Sequence, residues 1–263
     1  MCIRDRNSSA TIHNKSDFAG MRKAGQLAAE ILDMITEHVK PGVTTETLDT
    51  KCFEFADQNG ACIAPLFYKG FPKSVCTSIN HVICHGIPSP RVLEDGDIVN
   101  IDVTVIVDGW HGDTSRMYRV GNINNKAQKL IDCTYEAMML GINEIAPNKK
   151  TGDIGNAIQT YSEARSYSVV QDFCGHGLGK VFHSFPNILH YGTPNTGEDL
   201  LEGMFFTVEP MINIGKYDVR LLKDGWTAVT KDKSLSAQFE HTVGVTENGF
   251  EIFTKSPAGL DKP

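Results

Sequence analysis

The run IVNIDVTVIVDGWHGDTSRMY, residues 98–118, limits the possible folds more than any other stretch of the chain. Two β-branched, apolar segments flank Asp108-Gly109, a dipeptide that tolerates the positive φ of a two-residue hairpin turn. With those two residues as the loop, Val107 faces Trp110 and Thr104 faces Asp113. Asp102 then lies diagonal to Asp113 on the same face of the ribbon. Diagonal neighbours sit roughly 7 to 8 Å apart, so both carboxylates reach one point between them. Such a pair reads either as the solvated side of a hairpin or as ligands of a cation that removes their repulsion.

Three later segments bear on that choice. In QDFCGHGLGKVFHSFPNILHY (171–191), glycines flank His176 and would let the backbone come close to a bound ion or substrate, and a second histidine follows at His183. In GMFFTVEPMINI (203–214), Glu209 interrupts an apolar strand directly before Pro210. In SAQFEHTVGVTENG (236–249), Glu240 lies between apolar strand residues. A carboxylate inside such a run must be paired, protonated or metal-bound. A lysine salt bridge would answer for either glutamate alone. Taken jointly, carboxylates with one imidazole and no cysteine suit Mn, Fe(II), Co or Zn at a two-metal site, which makes hydroxide from water near neutral pH.

Helical periodicity frames these segments. Met21, Ala24, Leu27, Ala28, Ile31, Leu32 and Ile35 predict an amphipathic helix over 18–39, with a cap at Ser16. A second is expected over 45–58 after Thr44, a third over 126–145 and a fourth over 151–165. A shift of 106 positions places Glu30 on Glu136, Val39 on Ile145, Pro41 on Pro147, Thr45 on Thr151 and Leu48 on Ile154. That match reads either as an internal duplication or as a chance alignment of two helix-loop-helix stretches. A strand-rich block follows each helical pair, so a sheet of paired halves covered by helices would bring ligands from both into a central cleft. The expected fold class is α+β, with residues 1–15 a flexible leader and 16–263 one domain with an internal pseudo-repeat.

At 263 residues and 41% hydrophobic content the chain can bury a large core, and its net charge of −7 argues against general affinity for a nucleic acid backbone. Seven cysteines with no CxxC spacing indicate neither a disulfide framework nor a zinc finger, and reduced thiols are expected. No apolar stretch has signal-peptide or membrane-span length. The expected setting is the cytoplasm.

Five motifs in this order, CHGIP (84–88), HGDTS (111–115), CGHGLG (174–179), TVEP (207–210) and SAQFEHT (236–242), closely resemble those of type I methionine aminopeptidases of peptidase family M24A. The likeness runs from about Asp17 to Phe253. The resemblance implies the pita-bread (creatinase/aminopeptidase) fold, a pseudo-two-fold antiparallel sheet flanked by helices. It implies hydrolysis of the initiator methionine from nascent proteins when the second residue is small, by attack of a metal-bridging hydroxide.

By the same resemblance Asp102 would hold one divalent ion and His176 with Glu209 the other, while Asp113 and Glu240 would bridge both. The ions would be Co, Mn, Fe or Zn. His85 and His183 match the catalytic histidines, and Glu209 the proton shuttle to the leaving amine. Tyr68, Phe71, Cys76, Phe182 and Trp226, with His85 and His183, match the substrate-binding walls. Pro65 departs from the pattern, standing where many bacterial members carry cysteine. Asn80, Val82 and Ser236 match a monovalent cation site (Na or K). The implied partner is a nascent polypeptide N-terminus, met by a monomer in transient contact with the ribosome, with no nucleic acid sequence recognition and no membrane.

Four rivals share the fold. Prolidase and aminopeptidase P normally carry a further amino-terminal domain, whereas here the first helix is expected within twenty residues of Met1. Type II methionine aminopeptidases carry a helical insertion for which the run from Gly179 to Glu209 leaves no room. A binding module that has lost its metals would lack ligands that are all present here.

Overall fold

The structure is a computed structural model and describes residues 9–262. Its helices are α1 (Lys15–Ile35), α2 (Thr45–Gln58), α3 (Asn125–Asn143) and α4 (Thr151–Glu163). The strands of the first half are β1 (Cys62–Ile63), β2 (Cys76–Ile79), β3 (Val82–Cys84), β4 (Ile98–Val107) and β5 (Trp110–Arg119). Those of the second are β6 (Ser168–Val169), β7 (Gly175–Gly177), β8 (Ser184–Ile188), β9 (Phe205–Val208), β10 (Met211–Asn213), β11 (Val219–Leu221), β12 (Ala228–Thr230), β13 (Ser236–Gln238), β14 (His241–Thr246) and β15 (Gly249–Ile252).

The long hairpin forms as its sequence requires. Asp108 and Gly109 both take positive φ, at 50° and 82°, and the register pairs Val107 with Trp110 and Thr104 with Asp113. Alternation then divides the two faces of β4. Val99, Ile101, Val103 and Val105 are fully buried in one core with α1 and α2. Each such side chain contributes about 1.5 to 3 kcal/mol relative to exposure, which fixes the register, because a slip of one residue would turn this face to the cleft. Asn100, Asp102 and Thr104 lie on the opposite face.

The second half repeats the plan with different side chains. Helices α3 and α4 cover a second core built from β9, β10, β13 and β14, centred on Phe206, Phe239, Ile212 and Val243. Helices α2 and α4 begin at Thr45 and Thr151, the two positions that the 106-residue shift superposes. Both threonine hydroxyls accept a backbone N–H from a later loop of their own half, from Ser89 at 2.9 Å and from Glu198 at 3.1 Å. Strand order is β1-β4-β2 with β5 on the other edge of β4, β13-β10-β6, β11-β12-β3, and β15-β14-β9-β7-β8, with all pairings antiparallel. A bridge between Ser115 and Glu240 ties the first half to the second beside the cleft. Mixed helices and antiparallel sheets in two related halves make up the pita-bread architecture.

Three expectations are corrected. The α1 cap is Asn14, not Ser16, since the Asn14 side chain accepts from Ser16 N while Asp17 accepts from Asn14 N in a capping box. Residues 1–8 of the expected leader lie outside the described residues, but 9–14 are not loose. His13 N donates to Gly203 O at 2.8 Å, and the His13 ring stacks on Phe205 at 4.2 Å. Cys52, Cys62, Cys76, Cys84 and Cys133 are free thiols as expected, whereas Cys174 is disulfide-bonded.

Gly112 allows α1 to lie directly on the hairpin. A Cβ there would stand 2.2 Å from Ala24 O and 2.6 Å from Gly25 N, both backbone atoms of the helix. We expect Gly112→Ala to push α1 off β5 and to cost about 1 to 3 kcal/mol, read as a lower urea midpoint at unchanged m-value.

Candidate metal centre

A cleft between the halves is lined by Asp102, Asp113, His176, Glu209 and Glu240. His85, His183, Tyr68, Phe71, Cys76, Phe182 and Trp226 line the same cleft, with Pro65 and Thr104. Every residue singled out by sequence for the divalent ions, catalysis or substrate therefore lines one space, whereas Asn80, Val82 and Ser236 lie outside it. Two strands of the first half and three segments of the second supply the acids and the imidazole. Asp102 and Asp113 come from β4 and β5, His176 from β7, Glu209 from the end of β9, and Glu240 from the link between β13 and β14.

The tightest group is Asp113, His176 and Glu240, which offer ligand atoms all within 4.8 Å of one another. His176 Nε2 lies 3.6 Å from Asp113 Oδ2 and 3.7 Å from Glu209 Oε1. His176 Nδ1 stands 3.2 Å from Gly177 O, a contact made with the proton on Nδ1, which leaves the Nε2 lone pair facing the acids.

Hydroxyls set the carboxylates. Thr104 Oγ1 donates to Asp113 Oδ1 at 2.6 Å, and Thr207 Oγ1 donates to Glu209 Oε1 at 2.7 Å. Thr207 Oγ1 also accepts from His176 N at 3.0 Å, so one hydroxyl couples two segments of the site. Gln238 Nε2 reaches Glu209 Oε2 at 3.3 Å. Thr207 and Gln238 lie two residues before Glu209 and Glu240, and that period-two spacing was the signal that could have marked them.

The electrostatics call for a cation. Burial raises Asp102 to about 7. Burial, and then the neighbouring acids, hold Asp113, Glu209 and Glu240 well above the ordinary carboxylate range. No lysine or arginine pairs with any of the four among the described residues. The lysine bridge that would have explained Glu209 or Glu240 blandly is not there. Burial also depresses His176 to about 4, so the imidazole is neutral and cannot serve as the counterion. Four acids, two buried and two half-buried, and one neutral imidazole nitrogen are the donor set of a divalent centre, and thus these residues fit such ions.

One face of the cleft is aromatic. Phe71 and Trp226 meet edge-on at 5.2 Å, and Tyr68 lies 4.8 Å from Phe182 and 5.2 Å from His183. His183 packs 4.1 Å from the His176 ring, and His85 sits against Phe173 and Trp226. Burial depresses His85 to about 4 and His183 further, so both are neutral at physiological pH. His111, which sequence reading did not assign a role, fixes the loop before His183. Its N donates to Gly179 O at 2.8 Å and its ring stacks on Phe182.

The glycines beside His176 act differently from the expectation. A Cβ on Gly175 would meet Thr207 O at 2.3 Å and one on Gly177 would meet Phe185 O at 2.3 Å. They admit neighbouring strands.

Comparison with known proteins agrees with this geometry. The profile of metallopeptidase family M24 matches residues 19–247. A methionine aminopeptidase of Rickettsia prowazekii is 64% identical, covering 96% of this chain and 98% of that relative. Methionine aminopeptidase A of Synechocystis is 54% identical, over 93% of this chain and 97% of the relative. Crystal structures of methionine aminopeptidases from R. prowazekii and Thermotoga maritima superpose with TM-scores of 0.93 and 0.92 at 63% and 36% identity. Each covers 94% of this chain, and the match spans 100% and 99% of the respective structures. A prolidase from Pyrococcus furiosus shares the fold, with a TM-score of 0.75 at 23% identity over 93% of this chain and 65% of that one. The chain therefore belongs to metallopeptidase family M24, in its methionine aminopeptidase branch.

The raised carboxyls set a pH dependence. A carboxyl whose folded pKa stands above its unfolded value favours the fold below that unfolded value, 3.8 for Asp102, and loses the contribution as pH climbs through about 7. Metal binding must displace whatever protons remain. The rise in Tm on adding Mn²⁺ to metal-free protein is accordingly expected to be larger at pH 8 than at pH 6, and calorimetry at the two values checks it.

Proposed function

We propose that this metal-dependent aminopeptidase removes initiator methionine from nascent polypeptides whose second residue is small. The observation that carries the reading is one cleft in which an acid and imidazole cluster abuts an aromatic pocket with a thiol at its side. Tyr68, Phe71, Cys76, Phe182 and Trp226 would enclose the methionine side chain, since aromatic rings and sulfur suit a flexible thioether. Asp102, Asp113, His176, Glu209 and Glu240 would hold two divalent ions, Co, Mn, Fe or Zn, with Asp113 and Glu240 shared between them. Bound there, such ions supply Lewis acidity toward the scissile carbonyl and a water nucleophile at neutral pH.

The remaining steps belong to the chain's own groups. Neutral His183 donates a hydrogen bond to the carbonyl oxygen as negative charge grows on it. His85, half-buried in the cleft wall, would contact the substrate amino end or the scissile amide. Glu209 would take the proton that the attacking water loses and pass it to the leaving amine. The Phe182 ring packs against both His176 and His183 and holds the two imidazoles in place.

A monovalent cation, Na or K, is proposed beside Asn80, Val82 and Ser236. Ser236 N donates to Asn80 O at 2.8 Å, while Ser236 Oγ is buried with no partner among the described residues. The enzyme is proposed to act as a cytoplasmic monomer in transient contact with the ribosome. Among the described residues no helix is long and apolar enough to cross a membrane.

Turnover of Met-Ala-Ser should stop in EDTA and return with Mn²⁺ or Co²⁺, whereas equal turnover of an Xaa-Pro peptide would contradict the assignment. His183→Ala should lower kcat by about 100-fold to 1,000-fold, the range for losing one oxyanion donor, with the metal content of the purified protein unchanged.

A further inference from the structure

Glu209 stands where the chain leaves one sheet and enters another. Val208 ends β9 opposite His241 of β14, and Met211 opens β10 opposite Gln238 of β13. Between them Pro210 has no N–H, and the Glu209 N–H belongs to neither ladder. It is donated to Nε2 of His190 at 3.1 Å. His190 is fully buried and lies two residues beyond β8, which pairs with the strand bearing His176.

That hydrogen bond defines the ring. Nε2 accepts, so the proton sits on Nδ1, and Nδ1 has no partner among the described residues. Burying a half-satisfied imidazole is costly, and an aliphatic side chain would fill the space without that penalty. The contact with Glu209 is what such a side chain could not replace. Thr207 and Gln238 hold the Glu209 carboxylate, whereas His190 holds the backbone from which it projects.

We propose that His190 is a positioning residue for the metal centre, fixing the peptide unit of Glu209 at the sheet crossover so that its carboxylate enters the site at ligating depth. The proposal rests on the reading that Glu209 is a metal ligand. Outer groups that orient a ligand commonly alter metal affinity by about 10-fold to 100-fold, and an effect of that size is expected here.

The test titrates Mn²⁺ into the metal-free full chain by calorimetry and measures kcat and KM on Met-Ala-Ser, for the natural chain and for His190→Leu, His190→Gln and His190→Asn. Leucine should weaken Mn²⁺ binding about 10-fold to 100-fold and lower kcat with little change in KM. Glutamine, whose amide oxygen reaches the Nε2 position, should restore both. Asparagine, which stops at the Nδ1 position, should not. If the leucine variant fails to fold, the contrast between glutamine and asparagine decides, and equal affinity and kcat in those two overturn the proposal. In the natural chain, long-range ¹⁵N NMR should show His190 protonated at Nδ1 and bare at Nε2, and an Nε2–H tautomer would also overturn it. A natural chain that neither binds Mn²⁺ nor hydrolyses the peptide sinks the metallopeptidase reading instead, while the tautomer still decides the contact.

Discussion

Four carboxyls drawn from both halves of the chain, those of Asp113 and Glu240 buried and those of Asp102 and Glu209 half-buried, gather around one point with no lysine or arginine paired to any of them among the described residues. Burying bare like charges is so unfavourable that the groups either keep protons or share a multivalent cation. The neutral imidazole of His176 adds a donor without adding charge. Much of the surrounding architecture can be understood as the means of holding these groups at a separation they would not choose in water.

The scaffold meets that demand with rigid parts. One face of β4 is anchored in the α1 and α2 core, so the other face presents Asn100, Asp102 and Thr104 at fixed height. On the far side, Glu209 and Glu240 sit at the two places where strands pass between sheets, the first beside Pro210 and the second at the bridge to Ser115. Threonine hydroxyls then fix the carboxylates of Asp113 and Glu209. The aromatic wall continues directly from His183, so the side-chain pocket and the acids are parts of one rigid cleft.

What could be read from sequence followed the range of the forces involved. The hairpin register was legible because a two-residue turn and strict alternation are local, and it placed Asp102 and Asp113 correctly before any tertiary contact was known. Thr44 as the cap of α2 was legible for the same reason. The α1 cap was displaced from Ser16 to Asn14 by a side-chain competition that composition alone does not resolve. The glycines around His176 carry a constraint that sequence does not display, the close approach of Thr207 and Phe185 backbone from neighbouring strands. The motif resemblance supplied the five acidic and imidazole positions, but not the layer behind them. Thr207 and Gln238 were recoverable from spacing, while His190 lies 19 residues from Glu209 with no periodic relation to it.

The most direct test of the account is anomalous diffraction from crystals soaked in Mn²⁺. The account requires two peaks about 3.5 to 4 Å apart, enclosed by Asp102, Asp113, His176, Glu209 and Glu240, with Asp113 and Glu240 in contact with both. Absence of ordered metal among these residues at saturating Mn²⁺, or the same carboxylates turned away to meet lysine or solvent, would contradict it.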